Sequence, residues 1–210
     1  MLEPSTFFDY QNSEYKELFD SSENVWDVVK NLPQFISNLF ESGKIVGNHA
    51  ENVYVGQNVT IDPAAQIVGP AIIGDNCIIG FGAYLRENVI VGAGAKIGHA
   101  SEIKNSVIME KTAIAHFNYV GDSVIGNFVN FGAGAKVANF RLDEKNIPVR
   151  FDDKKIDTGL VKFGAVVGDN SKIGVNAVLN PGTILGKDCI VFPLQSVSGV
   201  HDESSKIHSS

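Results

Sequence analysis

The residues best suited to chemistry gather between Ile114 and Gly134. His116, Tyr119, Asn130 and the string Gly132-Ala133-Gly134 stand there in an otherwise monotonous ladder. Imidazole takes up and returns a proton near neutral pH, which suits general acid–base work. A phenol, an amide or a backbone N–H can orient a polar substrate or steady an oxyanion. Two cations precede the histidine, Lys104 by twelve residues and Arg86 by thirty. Guanidinium grips a phosphate through two parallel bonds, and an ammonium acts as a point charge. Lys145 follows in a charged stretch. Residue type and spacing leave plainer readings open. His116 could be a surface histidine, Asn130 a turn asparagine, and Arg86, Lys104 and Lys145 solvated charges. The glycine string is one that this kind of ladder makes freely.

The ladder is what must position these groups. From Val55 an aliphatic residue recurs every six positions, through Ile61, Ile67, Ile73, Ile79, Leu85, Val91, Ile97 and Ile103. Glycine often follows it, and the chain's 21 glycines exceed the usual share. A six-residue period fits neither a helix nor a hairpin protein. It marks a parallel β-helix in which three hexads make one triangular coil. The fold class is therefore all-β, with roughly 22 hexads in about seven coils. Each inward aliphatic is buried only once neighbouring coils stack. Two steps shorten to five residues, Ile103 to Ile108 and Val120 to Ile125, and these tightened corners flank His116 in the chain.

Residues 1–50 stand outside the ladder and are expected to pack on it as an N-terminal segment. Val25, Val28, Val29 and Leu32 have helical spacing, with Ser21 and Ser22 as N-caps. Pro33 opens a second helical segment to Glu41, so that a helical hairpin is expected, clamped by Trp26, Phe35 and Phe40. Phe7, Phe8 and Tyr10 form another anchor. Residues 51–200 are the β-helix. Residues 138–160 break it as a charged excursion, with a small hairpin around Asp152-Asp153, and the ladder resumes at Val161. Residues 201–210 read as a mobile polar tail.

The formal charge of −7, without a Lys/Arg block, argues against nucleic acid and anionic membranes as partners. No leader and no long apolar run are visible, so a cytoplasmic location is expected. Cys77 and Cys189 sit in apolar surroundings and read as small buried thiols. His49, His99, His201 and His208 are left without a role. No trio of closely spaced histidines suggests zinc, and no metal is expected.

The run His116-x-x-Tyr119-x-Gly121-Asp122, followed by Asn130-x-Gly132-Ala133-Gly134, resembles the acetyltransferase domain of the bifunctional glucosamine-1-phosphate acetyltransferase/N-acetylglucosamine-1-phosphate uridyltransferase. Asn139-Phe140 and Lys145 fall where that family has Asn-Tyr and a lysine, and the charged excursion with its Asp157-Thr158-Gly159 loop is closer still to the archaeal-type sugar-1-phosphate nucleotidyltransferase/amino-sugar acetyltransferases. The likeness spans about residues 20–197 and lacks the nucleotidyltransferase domain. It implies a left-handed coil and a homotrimer with sites between subunits. It implies acetyl-CoA as a substrate, lying against Ala133, Asn139 and Phe140. It casts His116 as general base and Arg86, Lys104, Tyr119, Asn130 and Lys145 as holders of an amino-sugar 1-phosphate, with Lys145 reaching from a neighbour. No nucleotidyl transfer is expected of this chain. Phe140 replaces a family tyrosine, Pro148 replaces a lysine of some relatives, and only Lys206 remains of a basic tail. Loss of the nucleotidyltransferase domain and of the basic CoA anchors motivates an alternative: a non-catalytic sugar-phosphate-binding or scaffolding subunit that partners a separate nucleotidyltransferase. A third possibility is another acceptor, such as a nucleotide-linked amino sugar.

Overall fold

The structure is a computed structural model that describes residues 2–151 and 154–208. The hexads form an all-parallel solenoid of about eight turns, which fits a left-handed β-helix. Its three flat faces are sheets of eight, eight and seven strands, here named A, B and C in the order the chain visits them. Neighbouring strands of a face lie one coil apart, as Ile97 lies beside Ile79 and Ile114. The expected aliphatics point inward. Ile73, Ile79, Leu85, Val91, Ile97, Ile103, Ile108 and Ile114 are fully buried in one continuous core. Burying each contributes roughly 1.5–3 kcal/mol. Cys77 and Cys189 belong to the same core as free thiols.

The edges turn through left-handed backbone. Asn58, Asn76, Lys111 and Phe128 do so between A and B; Ala100 and Phe117 between B and C; Asn88, Asn105 and Asp122 between C and A. Asparagine and aspartate tolerate this region because the short side chain bonds locally. The two five-residue steps both fall on the C-to-A edge. They lie one coil apart, whereas His116 lies on the B-to-C edge.

The outward side of face A is apolar and is covered. Ile72, Ile90, Val107, Val124, Val166 and Ile184 form a second core with the N-terminal segment. That segment holds three helices, α1 Pro4–Phe7, α2 Lys16–Asp20 and α3 Asp27–Glu41. The expected helical hairpin is corrected: α3 runs through Pro33 as one helix of 15 residues. Tertiary burial of Val28, Val29, Leu32 and Ile36 outweighs the cost of an interior proline. Its start is set by Asp27, whose carboxylate accepts from the Asn24 backbone N–H at 2.9 Å, and not by Ser21 or Ser22. Phe7, Phe8, Tyr10 and Trp26 are buried in the second core, and Phe35 and Phe40 pack at its margin.

The excursion carries an antiparallel hairpin, Pro148–Phe151 with Lys154–Asp157. Asp152 and Asp153, the expected turn, lie outside the described residues. The ladder resumes later than expected. Val161 is exposed, and the first strand after the excursion is Ala165–Val167. Phe163, fully buried under face A, accounts for the delay. The polar tail is corrected too: Val200–His201 and Lys206–Ile207 extend faces A and B by one strand each.

Candidate active site

His116 ends the strand Ala113–His116 at the B-to-C edge. Three backbone features hold it there. Its N–H donates to the Asn118 side chain at 2.9 Å, its carbonyl accepts from Gly134 N–H at 2.9 Å, and it stacks in register on His99. Asn118 is buried and spends its amide on the next coil, donating to Gly132 O at 2.8 Å and Ala135 O at 3.2 Å. One side chain therefore ties the histidine's backbone to the Gly132-Ala133-Gly134 corner. Gly98 makes the close stacking possible, since a Cβ there would meet Ala115 O at 2.1 Å. The imidazole of His116 is exposed and has no hydrogen-bond partner among the described residues. His99, read as without a role, stacks on Phe81 and meets the edge of Phe117, with its Nδ1 near Phe81 O at 3.2 Å. It is the floor on which the His116 corner rests.

The cations stand on the next face. Arg86, Lys104 and Gly121 occupy one column along the far side of face C, with Tyr119 two residues nearer the histidine. His116 and Gly121 are five residues apart, at most about 18 Å along the chain. Arg86 donates to Glu102 at 3.1 Å and has Glu87 at 3.7 Å. The hydrogen bond to Glu102 pushes its pKa up. Lys104 is 13% exposed and sits 3.4 Å from Asp122, itself 5% exposed. Asn139 donates to the same carboxylate oxygen that Lys104 approaches, with its amide beside the Tyr119 hydroxyl. Burial raises the Tyr119 pKa, as do the nearby Asp122 and Glu102 charges. Gly121 leaves room for this cluster: a Cβ would lie 2.6 Å from both the Tyr119 hydroxyl and the Asn139 amide.

Within one chain, the remaining residues fall elsewhere. Asn130 is exposed on face B, paired in register with Ala113. Ala133 lies on the edge beside His116. Asn139, grouped with the cofactor by resemblance, has its side chain engaged in the Lys104–Tyr119 cluster instead. Phe140 is exposed and pairs with Lys162 through its backbone. Lys145 lines a separate depression in the excursion with Arg141, Asn146, Lys155 and Asp157. Sequence reasoning missed Glu102, Asn118 and Asp122. Asp122 and Asn118 lay inside the quoted motif, and Asp122 and Asn105 each occupy a tightened step, a signal that could have paired them.

Among family models, the GMPPB C-terminal domain matches residues 67–150 and the hexapeptide repeat of succinyl-transferase matches residues 164–191. Fold and kinship place the chain with the hexapeptide-repeat acyltransferases. It resembles the acetyltransferase part of bifunctional archaeal proteins. It is 37% identical over 174 residues to a bifunctional sugar-1-phosphate nucleotidylyltransferase/acetyltransferase of Sulfurisphaera tokodaii, covering 80% of this chain and 43% of that one. It is 38% identical over 172 residues to the bifunctional protein GlmU of Methanococcus vannielii, covering 79% and 41%. The chain thus spans less than half the length of these relatives. A solved acetyltransferase domain of PglB from Neisseria gonorrhoeae, in complex with acetyl coenzyme A, aligns with a TM-score of 0.40 and 19% identity, over 70% of this chain and 53% of that one. No helix of the described residues is long and apolar enough to cross a membrane.

Proposed function

We propose that the chain transfers an acetyl group from acetyl-CoA to the amine of an amino-sugar 1-phosphate, glucosamine-1-phosphate or galactosamine-1-phosphate. The carrying observation is the exposed, unpartnered imidazole of His116, held by its backbone at an edge whose next face bears Tyr119, Lys104 and Arg86. His116 takes the proton from the attacking amine as its nitrogen bonds to the thioester carbonyl carbon. The C–S bond then breaks, and the proton passes to the departing thiolate, which leaves as the CoA thiol. The phosphate takes Arg86 from Glu102, trading a part-exposed carboxylate for a dianion. Tyr119 orients the sugar. The small residues of the Gly132-Ala133-Gly134 edge allow the pantetheine arm to come close. Lys145 and Asn130 complete the pocket from neighbouring copies in a homotrimer. This reading has no step for a metal ion.

The test is a panel of acceptors with acetyl-CoA and detection of free thiol. Glucosamine-1-phosphate or galactosamine-1-phosphate is expected to turn over. His116→Ala is expected to lose at least about a hundredfold in kcat. Its thermal stability should stay within about 0.5 kcal/mol of the parent, since an exposed side chain is removed. Turnover in that variant equal to the parent overturns the base assignment. Binding of the sugar phosphate without thiol release would favour the non-catalytic subunit.

A further inference from the structure

We propose that Asp122 is a positioning residue of this site: its carboxylate holds Lys104, Asn105 and Asn139 as one unit and thereby sets the cation and the hydroxyl that face the sugar phosphate. This rests on the functional reading above. The geometry begins with the shortened corner. Val120 to Ile125 has one residue fewer than a full hexad, and Asp122 takes the left-handed turn with φ 50°. The coil before it does the same at Asn105, with φ 44°. The two tightened corners stack, so Asp122 N–H donates to Lys104 O at 2.9 Å and Gly164 N–H donates to Asp122 O at 2.8 Å. The carboxylate is thus drawn in under the corner, where its oxygens need partners to offset their lost hydration.

They are matched by three side chains. Asn105 Nδ2 donates to Oδ1 at 2.9 Å, Asn139 Nδ2 donates to Oδ2, and Lys104 Nζ lies 3.5 and 3.4 Å from the two oxygens. Asn105 pays for this orientation, because its buried Oδ1 accepts no bond. The distances divide the work. The two amides are held at hydrogen-bonding range, while the ammonium sits loosely against both oxygens and keeps protons for an incoming anion. Asn139 carries the effect onward, since its amide and the Tyr119 hydroxyl crowd the same space above Gly121, each 2.6 Å from where a Cβ would stand. Asp122 itself is too enclosed to touch substrate, and so acts through Lys104 and Tyr119.

The experiment is calorimetric binding of glucosamine-1-phosphate without acetyl-CoA to the parent, Asp122→Asn, Lys104→Met and the double variant. Asp122→Asn sets an amide against three donors. It is expected to weaken sugar-phosphate binding about tenfold. The double variant is expected to bind no more weakly than Lys104→Met alone, because both changes remove one unit. In steady state the KM for sugar phosphate should rise with little change in the KM for acetyl-CoA. Losses that simply multiply in the double variant, or both KM values rising together with a drop in melting temperature, would mark Asp122 as merely structural. Should Asp122→Asn fail to fold, Asn105→Gly removes one donor to the same carboxylate at a φ that suits glycine. It should weaken binding about threefold, and unchanged binding overturns the proposal. A parent that binds but releases no thiol removes the catalytic reading and leaves the binding cycle to decide Asp122. A parent that does not bind removes both.

Discussion

At the residue scale, the proposed base, His116, is placed by an asparagine. Asn118 satisfies His116 N–H, Gly132 O and Ala135 O from within the edge. Asn118→Ala would take this partner from His116 N–H and Ala135 O and leave Gly132 O only the longer bond from Ala135 N–H at 3.3 Å, at a cost of about 2 kcal/mol. Because the groups belong to two successive coils, the His116 edge and the Ala133 edge should separate. Urea denaturation and the kcat of the acetyl-transfer assay should therefore both fall, in contrast to His116→Ala, where only kcat falls. A stable but inactive Asn118→Ala would instead place the amide in direct contact with substrate. His116 itself was legible in the chain because histidine interrupts a ladder of aliphatic and small residues. Asn118 was not, since an asparagine in a β-helix edge is an ordinary turn residue until its partners are seen.

At the element scale, coil stacking and the N-terminal cap each have a point of control. Gly98 on the B-to-C edge has backbone atoms of Ala115 within 2.7 Å of where a Cβ would stand. Backbone cannot swing aside as a side chain can, so Gly98→Ala should cost about 3 kcal/mol by denaturation. It should also depress acetyl transfer, because the strand it displaces carries His116. The cap is clasped by Asp169, whose Oδ2 accepts from Asp9 N–H and whose Oδ1 accepts from Asn127 N–H, both at 2.7 Å. Burial raises the Asp169 pKa, while those donors and Lys187 work against the rise. The native state therefore holds this proton more tightly than the unfolded chain. That contribution is present below the ordinary carboxylate value and is lost as pH rises through the raised one. The stability of the parent relative to Asp169→Asn should accordingly decline as the pH rises above the ordinary carboxylate range. Urea melts at intervals across that rise check it, and a rising difference would show that the donors outweigh burial. The hairpin of the excursion could be read from Pro148 and its alternating neighbours. The unbroken α3 could not, because a proline within a helix is decided by what the helix buries.

At the scale of the whole molecule, one face of the prism is covered and two are open. Face A lies under the helices and the excursion, while the B-to-C edge exposes Phe81, Phe117, Val175 and Leu194. Phe117 is 57% exposed and Leu194 75% exposed, on the same edge as His116. If copies pack along this edge, sedimentation should give three times the 22.6 kDa of one chain. A Phe117→Lys/Leu194→Lys double variant should then dissociate and lose activity with its fold retained. An unchanged mass in that variant would put the contact elsewhere. The chain by itself determined the solenoid, its inward aliphatics, its two tightened steps and the motif around His116. The reason is that a six-residue period has only one way to bury one side chain in six. Only the tertiary structure decided which polar groups meet. In a stacked coil the spatial neighbour lies 17 or 18 residues away, as Asn105 and Lys104 lie from Asp122. Residues of one short motif meanwhile fall on different faces, as Asn130 and Tyr119 do on either side of the His116 edge. Pairing of that kind depends on how many residues each corner consumes, and on what the excursion and the cap lay over face A.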